Sequence, residues 1–201
     1  MAKTSPPFPT IAPTKIVSVG LHAESHEWQP LPPVYPRGLR ERAQARWLEE
    51  FADTRMGDVF IWRYFQQIAI RPSIWGEKGD RELVDRTLNE DVPTVLDYLE
   101  SEAPADGFRF GPISLADIAP ACFFRTVAFV RFEINASRWP KTAAWMGRTM
   151  ASAPFQKLAR FEDAILRVPV PQQREALIAL GAPVSEETYA CASPRRGVMP
   201  I

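Results

Sequence analysis

Ile113-Ser114-Leu115-Ala116-Asp117-Ile118 spells a helix start reinforced three ways. Ser114 is the natural N-cap, because its hydroxyl can accept from the otherwise unpaired backbone N–H of Asp117. Asp117, at the third helical position, can reach back to the N–H of Ser114, a capping box with Asp in place of Glu or Gln. Ile113 and Ile118 stand where a hydrophobic staple clamps the entering chain on the first turn. Gly111-Pro112 breaks any preceding structure, so the helix that follows has a fixed entry angle. The helix N-terminus and Ser114 stabilise the Asp117 charge and leave it no reason to act as a base.

Outward from this start the chain reads as helix after helix. The capped helix carries Ile118, Cys122, Phe123, Val127 and Val130 to about residue 133, and Pro120, beyond the first turn, predicts a local distortion. Trp139-Pro140 opens a helix through Ala143, Trp145, Met146 and Met150; Ser152-Ala153-Pro154 opens another through Phe155, Leu158, Phe161 and Leu166. A last short helix over 171–180 is closed by Gly181. Upstream, Leu39, Ala43, Trp47, Phe51, Val59 and Phe60 recur at spacings of three and four. They predict one long amphipathic helix from about residue 38 to about residue 70, bent near 54–57 and ended by Pro72. Asp80 is the N-cap of the next, whose stripe is Leu83, Val84, Thr87, Leu88, Val92, Val95, Leu96 and Leu99, and which Pro93 would kink or interrupt.

Before residue 37 the pattern is different. Pro6, Pro7, Pro9, Pro13, Pro30, Pro32, Pro33 and Pro36 exclude a helix of any length, and only 15–19 reads as β-like. No strand–helix alternation follows residue 38, so no parallel sheet is available there. The expectation is an all-α bundle of five or six helices over 37–181. An irregular Pro-rich lead-in and linker over 1–36 precedes it, and an irregular tail over 182–201 follows.

Composition narrows the function classes. The chain has 201 residues, 46% hydrophobic and 24% charged, with 24 basic and 24 acidic residues. A formal net charge of zero offers no global field to nucleic acid or an anionic membrane, and the six tryptophans interleave no basic cluster on which bases would stack. No apolar run is long enough to span a bilayer and no signal peptide opens the chain, which predicts a cytoplasmic protein. Cys122 and Cys191 are far apart and His22 and His26 are the only histidines, so neither a disulfide nor a structural metal site is expected.

In this order the features resemble a known family, the C-terminal helical domain of cytosolic glutathione transferases. Val34-Tyr35-Pro36 before Arg40-Glu41-Arg42-Ala43-Gln44-Ala45-Arg46-Trp47-Leu48 looks like the family's linker and first C-terminal-domain helix. Residues 113–118 look like its buried capping box and staple. Trp139-Pro140-Lys141-Thr142-Ala143-Ala144-Trp145 with Ser152-Ala153-Pro154-Phe155 looks like its last core helices. The resemblance covers about residues 34–167. It implies conjugation of glutathione to hydrophobic electrophiles, with glutathione as co-substrate, no bound cofactor, a small hydrophobic ligand and a possible homodimer. It also implies a thioredoxin-like domain ahead of the helices, and the 33 residues before Val34 are too few for its βαβ units. The expectation is a truncated or internally deleted member whose conjugation is impaired. The alternative is a non-catalytic helical module that binds an apolar ligand or a protein partner, so whether the chain is an enzyme stays open.

The resemblance places glutathione contacts at Glu24 and Ser25, in a segment similar to the family's Glu-Ser turn. Ser5-Pro6 offers only a distant analogue of the activating hydroxyl, and a mobile terminal serine is the plainer reading. For the electrophile pocket it points to Phe60, Arg63, Tyr64, Gln67 and Phe124. Phe60, Tyr64 and Gln67 share a helix face, and an aromatic stripe at that spacing is more often core than pocket. Arg63 and Tyr64 carry polar ends that must find water or a ligand. Ile113, Ser114, Asp117 and Ile118 are structural, no metal ligands are assigned, and Arg195-Arg196 reads as a solvated tail.

Overall fold

The computed structural model describes residues 33–184, in which six helical rods pack without any strand. Helix α1 spans Leu39–Phe51 and continues unbroken as a wider, π-type stretch over Ala52–Trp75. This first rod therefore outruns residue 70, with Pro72 inside its closing turns. So near an end a proline removes little hydrogen bonding, and the stop is instead Gly76, which takes a φ of +65°. The change of helical pitch at Ala52 lies just ahead of the bend expected near 54–57.

The second rod comprises α2 (Arg81–Arg86), a π-type turn over Thr87–Asp91, and α3 (Val92–Glu102). Asp80 caps it, its Oδ1 accepting from the Leu83 N–H at 2.9 Å. Pro93 does not interrupt it: the proline stands at the start of α3, directly after the widened turn, where its ring meets no tight preceding turn. Then come α4 (Leu115–Ala128), α5 (Pro140–Met150), α6 (Ala153–Ile165) and α7 (Gln173–Ala179), the last entered through a 3-10 turn over Val170–Gln172. Gly181, at φ +74°, closes α7. Pro120 is buried within α4, which runs through it as one helix.

Helix α4 stops well short of residue 133. Arg131 turns left-handed at φ +63°, and the Phe132 N–H returns to the Val127 carbonyl at 3.1 Å. That reversal puts Phe132 edge-on against Phe60 and Tyr64, with ring centroids 5.3 Å and 5.8 Å apart. Aromatic contact in the core thus replaces another turn of helix.

The core face of the first rod is also shifted from the sequence stripe. Ala45, Leu48, Ala52, Met56, Val59 and Phe60 are fully buried, whereas Leu39 is 83% and Trp47 59% exposed. Trp47 lies at the rim, its indole N–H donating to the Tyr98 hydroxyl at 2.6 Å. Against the buried face stand Val95, Leu96 and Leu99 of α3, Phe124 and Val127 of α4, and Trp145 and Met146 of α5.

The capping box closes at the start of α4 and reaches further than a local cap. The fully buried Asp117 carboxylate accepts from the Ser114 N–H and the Ser114 hydroxyl, both at 2.8 Å. It also accepts from the Arg109 N–H at 2.8 Å and from the Trp145 indole at 2.7 Å. Ile113 and Ile118 are half-buried beside it. A second carboxylate works between helices: Glu100 of α3 accepts from the Lys141 and Thr142 N–H groups at 3.0 Å and 2.8 Å. It thereby caps α5 from outside.

Candidate functional site

The residues proposed for an electrophile pocket meet in space, but most of them meet inside the core. Phe60 and Phe124 are buried and lie edge to face at 5.2 Å, and Tyr64 is 7% exposed. Burial raises the Tyr64 pKa. The Arg63 guanidinium meets Asp58 at 2.8 Å and Asp91 at 3.4 Å and is about one third exposed. Arg55 pairs with the same two acids, at 3.4 Å and 2.9 Å, so four charged side chains join the first rod to the second. Each group is partly hydrated, so each pair is worth little singly and the network acts as a register pin. Glu24, Ser25 and Ser5 lie outside the described residues, as do His22, His26, Cys191 and the 15–19 stretch.

Gln67 is the member of the set that lies against a groove. It is 2% exposed and lines a groove of about 1060 Å³ at the corner where the first rod hands over to the second. Ile68, Pro72 and Val84 give the groove its apolar surface, and Lys78, Asp80, Arg81 and Asp85 its polar one. Gln67 is held on two sides. Its Oε1 accepts from the Asp80 N–H at 3.1 Å and from Arg71 Nη1 at 3.3 Å. Its backbone carbonyl is pressed by Gly79, where a Cβ would come within 2.0 Å of the oxygen. Arg71 is fixed in turn by Glu77 at 3.3 Å.

The clamp satisfies the Gln67 oxygen and leaves the amide nitrogen without a hydrogen bond, and Arg71 Nε is likewise buried and unpaired. An unsatisfied buried donor costs about 1–3 kcal/mol. Sequence reading reached Gln67 through helical spacing and missed Arg71, Lys78 and Gly79. The visible signal was Gly76-Glu77-Lys78-Gly79, two glycines bracketing charges between a proline and an N-cap.

At the start of the first rod a different polar cluster forms. Tyr35 is buried and its hydroxyl donates to Glu49 Oε2 at 2.5 Å, with the Arg46 guanidinium 5.4 Å from its ring. Burial, then the hydrogen bond to Glu49, pushes the Tyr35 phenol up to about 12. Burial raises Glu49 too, against the lowering effect of the Tyr35 bond. The Val34 carbonyl accepts from the Leu115 N–H at 2.7 Å, so the connector ahead of α1 is tied to the first turn of α4. Cys122 is a half-buried thiol that desolvation pushes up to about 11, unsuited to nucleophilic work. Among the described residues no three His, Cys, Asp or Glu side chains gather to hold a metal, and no helix is long and apolar enough to cross a membrane.

Compared with known proteins, the fold has clear relatives. Over 69% of this chain it superposes on a glutathione S-transferase from Rhodospirillum rubrum F11 with a TM-score of 0.60 at 18% identity, covering 61% of that chain. A glutathione S-transferase from Sinorhizobium meliloti 1021 matches over 78% of this chain and 69% of its own, again with a TM-score of 0.60 and 18% identity. The chain therefore spans about three fifths of the first of these structures. No family model matches the sequence. No curated protein does either. The protein has the fold of the glutathione S-transferases, all-α throughout its described residues. Fold alone leaves the chemistry to the site.

Proposed function

We propose that the chain is the helical half of a glutathione-transferase-type protein, acting in the conjugation of glutathione to hydrophobic electrophiles. The observation that carries this reading is the joint between connector and bundle. Val34 is bonded to the first turn of the helix that opens with the Ser114–Asp117 box, inside a fold shared with glutathione S-transferases. In this reading Glu24 and Ser25 contact glutathione, and the acceptor lies against Phe60, Arg63, Tyr64, Gln67 and Phe124. The protein works in the cytoplasm, on small hydrophobic ligands and without a resident cofactor. The test is the purified chain with glutathione and 1-chloro-2,4-dinitrobenzene, beside retention on glutathione resin. Retention with turnover is the expected result; neither one would reject conjugation.

A second reading, a non-catalytic binding or dimerisation module, is favoured by one specific observation. Leu39 and Trp47 leave an apolar strip exposed on the first helix, the kind of surface that marks association. A homodimer through this strip is expected to dissociate on Trp47→Glu in light-scattering chromatography. An unchanged mass would remove the strip from consideration.

A further inference from the structure

We infer that α6 is a lid on one face of α4, latched by Arg125 and hinged at residues 151–152, which opens with α7 attached while the rest of the bundle stays folded. Burial sets the two helices apart from the others. The first rod, α3, α4 and α5 each contribute fully buried side chains, whereas α6 and α7 contribute none. Leu158, Phe161 and Ile165 are half-buried, and the residue of α6 that packs on the main core cluster is Phe155, close to the hinge. Little apolar area is therefore uncovered when the far end of α6 lifts. Elements with few buried apolar contacts open at free energies well below that of global unfolding.

The far end is held by one polar side chain. Among the described residues every hydrogen bond and ion pair between α4 and α6 runs through Arg125: Nε to Glu162 at 2.7 Å, Nη2 to Asp163 at 2.5 Å and to the Ala159 carbonyl at 3.4 Å. Arg125 is 21% exposed, Glu162 33% and Asp163 48%, so water and salt reach the latch and screen it. Ala151 and Ser152 alone separate α5 from α6, and Ser152 makes no side-chain cap bond. The bond that crosses them, from the Gln156 amide to the Met150 carbonyl at 2.9 Å, lies at the pivot, where displacement is smallest. Two bonds join α6 to the segment that follows it: Gln173 donates to the Ile165 carbonyl at 2.9 Å and Arg160 to the Leu180 carbonyl at 3.0 Å. Helix α7, only seven residues long, therefore rides with α6. Cys122 stands one turn before Arg125 on α4, with Glu162 of α6 and Asp53 of the first rod as charged neighbours. Its half-buried thiol is a natural reporter of the lid. Nothing in this arrangement depends on conjugation of glutathione.

The test is iodoacetamide labelling of the full native chain, read at the Cys122 peptide by mass spectrometry so that Cys191 is scored apart. Labelling is expected to proceed without urea and to depend only weakly on low urea, because the lid exposes far less surface than unfolding does. It should quicken severalfold when salt is raised from about 0.05 M to about 0.5 M. Arg125→Met is expected to speed it about tenfold. Since that variant also removes the stacking on Phe129, Asp163→Asn provides a second one, which leaves Glu162 beside the thiol and should speed labelling in the same direction. In both variants hydrogen exchange over 92–102 should stay as slow as in the native chain. Labelling only at urea concentrations that unfold the chain, a rate indifferent to salt and to both substitutions, or exchange over 92–102 rising in step with labelling would each overturn the proposal.

Discussion

Asp117 shows how one side chain can be both local and long-range. Its place in the capping box was legible from Ser114 three residues earlier, because capping is a matter of sequence spacing. Its bond to the Trp145 indole was not, since nothing local links positions 28 apart. A simple cap loss costs about 0.5–2 kcal/mol. Asp117→Ala leaves the Arg109 amide and the Trp145 indole unsatisfied too, and the expected loss in urea unfolding is about 3 kcal/mol or more. A loss no larger than that of an ordinary cap would show that the indole bond contributes nothing. Gly79 gives the sharper expectation. Gly79→Ala places a methyl carbon within 2.0 Å of a backbone oxygen, so the 76–80 turn must move, and melting temperature and the amide resonance of Asp80 should both change.

At the scale of elements, helix starts were easier to read than helix stops. Ser114, Asp80 and the Trp139-Pro140 and Ala153-Pro154 pairs announce starts in their own chemistry. Stops depend on tertiary alternatives: α4 ends at Ala128 because Phe132 packs better on Phe60 than it would continuing outward. The stripe Leu39–Trp47 misled for a related reason, since spacing marks a face but cannot say which of two adjacent faces the bundle covers. The candidate site was less legible still, for Arg71 lies just past the helix end expected near residue 70, and Glu77 and Gly79 lie on no periodic element. Elements also hold one another by charge. Arg125 of α4 binds Glu162 at 2.7 Å and Asp163 at 2.5 Å on α6, a helix with no fully buried residue. Arg125→Met is expected to raise hydrogen exchange along 153–165 with little change elsewhere; uniform exchange across the chain would contradict this division.

For the molecule as a whole, pH acts through groups of opposite sign. Burial alone would raise Glu100, but the amide and hydroxyl of Thr142 and the amide of Lys141 hold it below the usual carboxylate range. Its stabilisation is present above the unfolded pKa of about 4.3 and is lost as pH falls through the folded value. Glu49 is raised, so its charged form weighs against the fold at neutral pH and that burden lifts on acidification, partly masking the loss from Glu100. At the alkaline side Tyr35 stays protonated in the fold up to about 12. Its contribution is complete below about 10, the unfolded phenol's value, and fades as pH climbs from there to the folded one. Tyr35→Phe should flatten that alkaline limb in denaturant titrations, and an unchanged limb would place its origin elsewhere. The external cap on α5 has a temporal side. Glu100 precedes Thr142 by 42 positions, so when residues 140–150 leave the ribosome, their acceptor has already been synthesised and the helix can set as it emerges. A peptide cut from the chain after residue 102 would carry α5 without that acceptor, and its first turn should fray.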